Sequence, residues 1–286
     1  MNDMTNSANR TPALYVVATP LGNLGDITLR ALEILRTVDV VACEDTRHAR
    51  RLLDHHGIKA TTMAVHQHNE REAGAKLVER LRQGQSVALI SDAGTPAVSD
   101  PGARAVAAVQ AAGFPVVPLP GPNAAITALS ASGLMDERFL FVGFLPAKSA
   151  ARQAEIAALA GIPAALVFYE APHRVTECVA DLAALLEPSR ELVVARELTK
   201  LFEQIVRLPL KEAVVWFAAD DNRQRGEFVL IVSAPPPREG LDPGTERILK
   251  LLLDDLPVKQ AARLAAEITG AAKNALYQRA LEIKDL

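Results

Sequence analysis

Apolar and polar positions alternate along this chain in blocks: short apolar runs, each closed by a polar turn and followed by a stretch with helical spacing. Ala13-Leu-Tyr-Val-Val-Ala18, Val38-Asp-Val-Val-Ala-Cys43, Thr61 to Val65, Ser86-Val-Ala-Leu-Ile90 and Pro115-Val-Val-Pro118 read as strands. Runs this short and β-branched suit strands covered on both faces. Between them Leu29, Leu32 and Leu35 recur at helical spacing behind a Thr28 cap, and helices are predicted over 70–83, after Asp100-Pro-Gly102, and over 124–132. This alternation predicts an α/β fold with a mostly parallel sheet and with ligands at the carboxyl ends of its strands.

The pattern changes beyond a linker at 134–138. Phe139 to Pro146, Ala164 to Tyr169, Glu191 to Ala195, Glu203 to Leu208 and Glu227 to Ser233 are strand-like runs, several too close together for helical crossovers. They predict a mixed, partly antiparallel sheet, closed by Ala234-Pro-Pro-Pro237. The remainder is helical, with Pro257 at a helix start, Gly270 at a helix end, and Leu276, Ala280 and Ile283 along a last helix, as in a helix-turn-helix. The expected division is an α/β domain at 12–134, a second α/β domain at 135–237 and a helical tail at 238–286.

Composition narrows the class. At 286 residues and 49% apolar content the chain can build two domains with real cores. A net charge of −3 argues against a polycation that coats nucleic acid, so RNA contacts would come from local patches such as Lys259, Arg263, Lys273 and Arg279 in the tail. Cys43 and Cys178 lack CxxC spacing and fit buried thiols in a reducing cytoplasm. The first ten residues are polar, and no apolar run reaches membrane-spanning length. The His66-Gln-His68 pair has no further His or Cys at ligand spacing, so no metal is expected.

Chemistry concentrates where strands end. The turn Thr19-Pro-Leu-Gly-Asn-Leu-Gly-Asp26 has neither the GxGxxG pattern nor a Walker lysine, which disfavours a dinucleotide or triphosphate cradle. Glu44-Asp45-Thr46-Arg47-His48 is either a helix start with a threonine cap or a substrate-facing rim. In Ser91-Asp92-Ala93-Gly94-Thr95-Pro96, Gly94 lets backbone approach a ligand and Asp92 offers a carboxylate; a tight βα turn is the plainer alternative.

Taken in register, Val17-Ala-Thr-Pro-Leu-Gly-Asn-Leu-Gly-Asp-Ile-Thr-Leu-Arg30, Glu44-Asp-Thr-Arg47, Ser91-Asp-Ala-Gly-Thr-Pro96, Ser99-Asp-Pro-Gly102, Pro120-Gly-Pro122, Phe168-Tyr-Glu-Ala-Pro-His-Arg174 and Ala195-Arg-Glu-Leu-Thr-Lys200 resemble the bacterial 16S rRNA (cytidine-2′-O)-methyltransferases of the tetrapyrrole methylase superfamily. The resemblance runs from Leu14 to about Val232, extends to the helical tail, and departs at Asn123, where the family pattern has serine. It implies a two-domain, usually homodimeric enzyme. Such an enzyme transfers a methyl group from S-adenosylmethionine to a cytidine 2′-hydroxyl in the decoding region of 16S rRNA, without a metal.

On that resemblance, donor contacts fall to backbone at Pro20, Leu21 and Gly22, to Asp92, Ala93, Gly94 and Thr95, and to Asn123 and Ala124, with Tyr169, Ala195 and Glu227 closing the cleft. Asp92 is expected at a donor hydroxyl or near the sulfonium, and glycine-turn N–H groups at the donor carboxylate. Glu44 or Asp45 is the first choice for the proton acceptor, Glu170 or His173 the second. Arg47, Arg174, Arg196 and Lys200 are read either as phosphate contacts or as structural salt bridges. A methylase acting on a tetrapyrrole and a non-catalytic RNA-binding ribosome-assembly factor are the alternatives.

Overall fold

The structure, a computed structural model, describes residues 11–66, 70–236, 240–241 and 243–284. His68 of the HxH pair, the first ten residues and Pro237 lie outside the described residues. The chain divides between Pro235 and Pro236 into two compact units.

The first unit opens with β1 (Leu14–Val17), α1 (Leu29–Thr37), β2 (Val40–Cys43), α2 (Thr46–His55), β3 (Thr61–Ala64), α3 (Glu70–Arg82), β4 (Val87–Ile90), α4 (Ala103–Ala111) and β5 (Val116–Leu119). These strands form one parallel sheet in the order β3-β2-β4-β1-β5. The two-residue period of the strands serves both faces. Val41 and Cys43 pack with Ile34, Leu35 and Leu52 of α1 and α2, whereas Val40 and Ala42 pack with Leu77 and Leu81 of α3 and Val109 of α4. Val17 lies opposite both Ile90 and Leu119, and Cys43 opposite Ile90, so the polar loops after four strands gather at one edge. Because β1 pairs with both β4 and β5, the sheet changes direction there, and the crevice opens at such a point.

Helix starts explain several polar residues. Thr28 Oγ1 accepts from Ala31 N–H at 3.1 Å, as expected for a cap. In α2 the cap is Asp45 rather than the expected Thr46: Asp45 Oδ1 accepts from Arg47 N–H at 2.7 Å. Helix α4 starts at Gly102, at φ 135°, without a side-chain cap of its own; buried Glu70 of α3 accepts from both Gly102 N–H and Arg104 N–H at 2.8 Å.

The unit continues through α5 (Ala124–Ser130), β6 (Phe139–Phe144), α6 (Ser149–Leu159), β7 (Ala165–Glu170), α7 (Val175–Leu185), β8 (Glu191–Arg196), β9 (Gln204–Pro209), α8 (Ala213–Ala218) and β10 (Phe228–Val232). The second sheet runs β6-β7-β10-β8-β9, parallel only between β6 and β7, and is therefore mixed as predicted. One face carries Leu166, Phe168, Val194 and Leu230 against α7 and α8; the other carries Val167, Ala195 and Ile231 against Ala125 and Ala128 of α5. Small residues in α5 thus allow the helix to lie close to the second sheet. Arg152 is buried in α6, where Asp181 of α7 holds its Nε at 2.6 Å. Both cysteines are buried, and burial pushes the Cys43 thiol up to about 11.

The second unit contains α9 (Pro243–Asp255), α10 (Val258–Thr269) and α11 (Lys273–Lys284), packed on Leu249, Ala261, Ala265, Leu276 and Ala280. Gly270 ends α10 in the left-handed conformation at φ 74°, the role predicted for it. Arg279 pairs with Glu246 at 2.6 Å and Arg263 with Glu267 at 3.1 Å, while Lys259 and Lys273 are exposed.

Candidate active site

A cleft of about 330 Å³ opens where strand ends from the two sheets face one another. One wall comes from Leu21 after β1, Ala93 to Thr95 after β4, and Asn123 and Ala124 at the start of α5; the other comes from Tyr169, Ala195, Glu227 and Val229. Val98, Ser99 and Asp100 complete the first wall.

The loops are held by backbone chemistry. Thr19 and Gly94 exchange both backbone hydrogen bonds at 2.9 Å, Thr19 Oγ1 donates to Ser91 O at 2.9 Å, and Ser91 Oγ donates to Gly94 O at 2.9 Å. Gly94 sits at φ 80°, and a Cβ there would stand 3.3 Å from Leu21 Cδ2. Of the glycine-turn N–H groups, that of Gly94 is spent on Thr19 O. Asn123 caps α5 by accepting from Ile126 N–H at 3.1 Å, and Thr95 Oγ1 donates to Pro122 O at 3.0 Å. Across the cleft Tyr169 Oη accepts from Ala125 N–H at 3.2 Å, joining β7 to α5.

Three residues expected at the donor lie off the cleft wall. Pro20 is buried; Gly22 is exposed beside the Lys200 side chain, which an added Cβ would strike; and Asp92 Oδ1 accepts from Asp45 N–H at 3.2 Å.

The carboxylates separate into paired and unpaired groups. Asp45 is gripped by Arg47 through side-chain bonds at 2.9 and 3.2 Å, which hold its carboxyl down to about 2. It is thereby a weak base, and Arg47 is neutralised although exposed. Glu170 has no exposed side-chain surface; its Oε1 accepts from Ala171 N–H at 2.8 Å and meets Arg174 Nε at 3.2 Å. Arg174 also donates to Leu145 O. Glu170, which lines the cleft, is thus paired with Arg174, the salt-bridge alternative for that arginine. His173 is exposed beside the cleft without lining it. Lys200 lies between Glu197 at 2.9 Å and Glu227 at 2.8 Å, so its ammonium already serves two carboxylates. Arg196 Nη1 donates to Asn222 O and Arg225 O at 3.0 and 3.1 Å.

Glu44, Asp92 and Asp100 face one another, with His66 acting on Glu44 and the Ser91 hydroxyl on Asp100. Burial, then Asp92, raises the Glu44 carboxyl; burial, then Glu44 and Asp92, pushes Asp100 up to about 6. Among the described residues these groups do not form a metal-holding cluster. Sequence reasoning missed Asp100, which sits between a strained Ser99 at φ 61° and the glycine that opens α4. The Ser99-Asp-Pro-Gly102 motif was the available signal.

Residues 13–214 match the tetrapyrrole (corrin/porphyrin) methylases, and residues 239–284 match the RsmI C-terminal HTH domain. The chain is similar to the ribosomal RNA small subunit methyltransferase I of Pseudomonas aeruginosa, at 54% identity over 94% of this chain and 96% of that protein. It is 50% identical to the enzyme of the same name from Escherichia coli O157:H7, over 99% of each. A uroporphyrin-III C-methyltransferase from Thermus thermophilus, complexed with S-adenosyl homocysteine, superposes with a TM-score of 0.54 at 22% identity over 77% of this chain and 97% of that one, a likeness of fold. With one family spanning both sheets and curated relatives matched nearly end to end, the chain belongs to the tetrapyrrole methylase family and is an S-adenosylmethionine-dependent methyltransferase.

Proposed function

We propose that this enzyme methylates the ribose 2′-hydroxyl of a cytidine in the decoding region of 16S rRNA, acting in the cytoplasm as a homodimer. The carrying observation is the match, at 50% identity or more, to proteins named ribosomal RNA small subunit methyltransferase I, with the helical tail included. The proposed division remains 12–134 and 135–237 around the cleft, with 238–286 as an RNA-contacting tail. Among the described residues no helix is long and apolar enough to cross a membrane.

The cleft's chemistry suits the donor. Leu21 and Val229 offer apolar walls to an adenine, and Asp100, which makes no ion pair among the described residues, offers a negative charge to a sulfonium. Bound there, S-adenosylmethionine supplies an already activated methyl group. The protein's task is then alignment and exclusion of water. Leu21, Gly94 and Asn123 fix one side of the donor, and Tyr169 and Ala195 close the other. Arg47, Arg196 and Lys200 are the basic groups assigned here to RNA phosphate, which would exchange for their present partners.

The test is mass mapping of ribose methylation on small-subunit rRNA from cells with and without the gene, followed by transfer to isolated subunits. Loss of a single 2′-O-methylcytidine, restored by the purified enzyme, supports the reading. An unchanged ribose map, or transfer to a porphyrinoid instead, rejects it.

A further inference from the structure

We propose that a second pocket, lined by Arg196, Glu197, Phe202, Asn222 and Arg225, receives an unpaired nucleotide of the RNA substrate beside the one being methylated, its base stacked on the Phe202 ring. The inference rests on the reading of the substrate as RNA and names a place outside the donor cleft where this chain grips it.

The pocket encloses about 560 Å³, within the ~300–1,000 Å³ of ordinary ligand sites. It is built on the same two strand ends as the cleft. Ala195 and Glu227 line the cleft, and their chain neighbours Arg196 and Gly226 line the pocket. Successive residues of β8 point to opposite faces of the sheet, so an RNA strand crossing that edge meets both. The loop between β8 and β9 is pinned beside it: Glu197 and Thr199 are left-handed at φ 52° and 66°, Glu197 N–H donates to Glu227 O at 2.9 Å, and Thr199 N–H donates to the Glu203 carboxylate at 2.6 Å. Backbone conformations of this kind persist where surrounding structure enforces them, and they cluster at functional sites.

That loop presents Leu201 and Phe202 to solvent at 89% and 70% exposure, a cost in water that a stacked base repays. Arg196 and Arg225 form no ion pair among the described residues, and Arg196 Nε is enclosed without a hydrogen-bond partner. In the free protein Arg196 Nη1 rests on the Asn222 and Arg225 carbonyls at 3.0 and 3.1 Å, which holds the guanidinium at the pocket. Glu197, the acid in the lining, is already met by Lys200 at 2.9 Å. The exposed Asn222 amide makes no hydrogen bond to a described residue and can donate to or accept from a base edge. Positive charge beside a ring face is the combination that holds unpaired bases and their phosphates. Two guanidiniums without counter-ions favour such an anion over the apolar face of a second copy.

The experiment measures methyl transfer over a range of isolated small-subunit concentrations, donor binding by calorimetry, oligomeric state by sedimentation, and thermal unfolding. The proteins are the natural enzyme, Phe202→Ala, Phe202→Tyr, Phe202→Leu and Arg225→Gln. For Phe202→Ala we expect a KM for subunits about tenfold higher, with kcat, donor affinity and melting temperature close to the natural values. Phe202→Tyr should keep the natural KM and Phe202→Leu should not, because a stacked base needs a ring face. Arg225→Gln should weaken subunit binding and lower its salt dependence by about one phosphate's worth of slope. An unchanged KM in Phe202→Ala or a natural KM in Phe202→Leu overturns the proposal. So does a Phe202→Ala protein that falls to a lower oligomeric state, which would mark the surface as a contact between copies. If the natural enzyme binds donor yet methylates no small-subunit RNA, the underlying reading fails and the inference falls with it.

Discussion

The two rims of the cleft carry the same ingredients and use them in opposite ways. The segment from Ser91 to Gly102 ends a strand with two aspartates that face Glu44 and, among the described residues, form no ion pair. The segment from Glu170 to Arg174 ends a strand with a glutamate and an arginine that neutralise one another out of solvent. One rim keeps uncompensated charge beside the cleft, where it can bind or react. The other has discharged it to fasten a turn. A carboxylate at a strand end therefore has no fixed meaning; the compensation it receives decides its part in the chemistry.

The largest expected effect breaks the compensated rim. Arg174→Met should cost about 3–5 kcal/mol of folding stability by urea titration, because it strands a buried carboxylate, and the double variant with Glu170→Gln should recover most of it. Were Arg174 instead a phosphate contact, stability would hold and RNA affinity would drop. Next, Gly94→Val forces a side chain into a left-handed site against Leu21; a loss of about 1–3 kcal/mol and a fall in donor affinity are expected by melting and calorimetry. Asn123→Ala removes the α5 cap and should cost about 1 kcal/mol, whereas Asn123→Ser should be nearly neutral.

The uncompensated rim makes a smaller, pH-dependent mark. Asp100 binds its proton more tightly in the fold than at its ordinary value of 3.8, so its charge opposes folding above about pH 6. Its contribution to stability should grow as pH falls from about 6 towards 3.8, and Asp100→Asn should flatten that part of the curve. Asp45 runs the other way: its paired carboxylate favours the fold above 3.8, and that contribution is lost as pH falls towards about 2. Smallest of all, Arg47→Ala should lower stability only slightly, because its pair with Asp45 is exposed, while the salt dependence of RNA binding should lose about one phosphate's worth of slope.

Both sheets were legible in the sequence because most of their strands are continuous apolar runs that need no partner to be seen, β3 and β9 being the polar exceptions. Leu14–Val17, Val87–Ile90 and Phe228–Val232 all fall inside predicted runs. Leu21, Thr95, Asn123 and Tyr169 of the cleft wall follow strand ends or open a helix, and the family resemblance singled them out there. Ionic pairing was not. Lys200 finds Glu227 from another strand, Arg152 finds Asp181 from another helix, and Asp100 reaches the cleft only through two left-handed residues that no periodicity announces.

The reciprocal backbone pair between Thr19 and Gly94 ties the loop after β1 to the loop after β4 in advance of any ligand. Those two segments should move as one piece, with amide protons at both positions exchanging far more slowly than those of ordinary surface turns. A donor entering there meets a wall already in place, and little of its binding energy goes into ordering the protein.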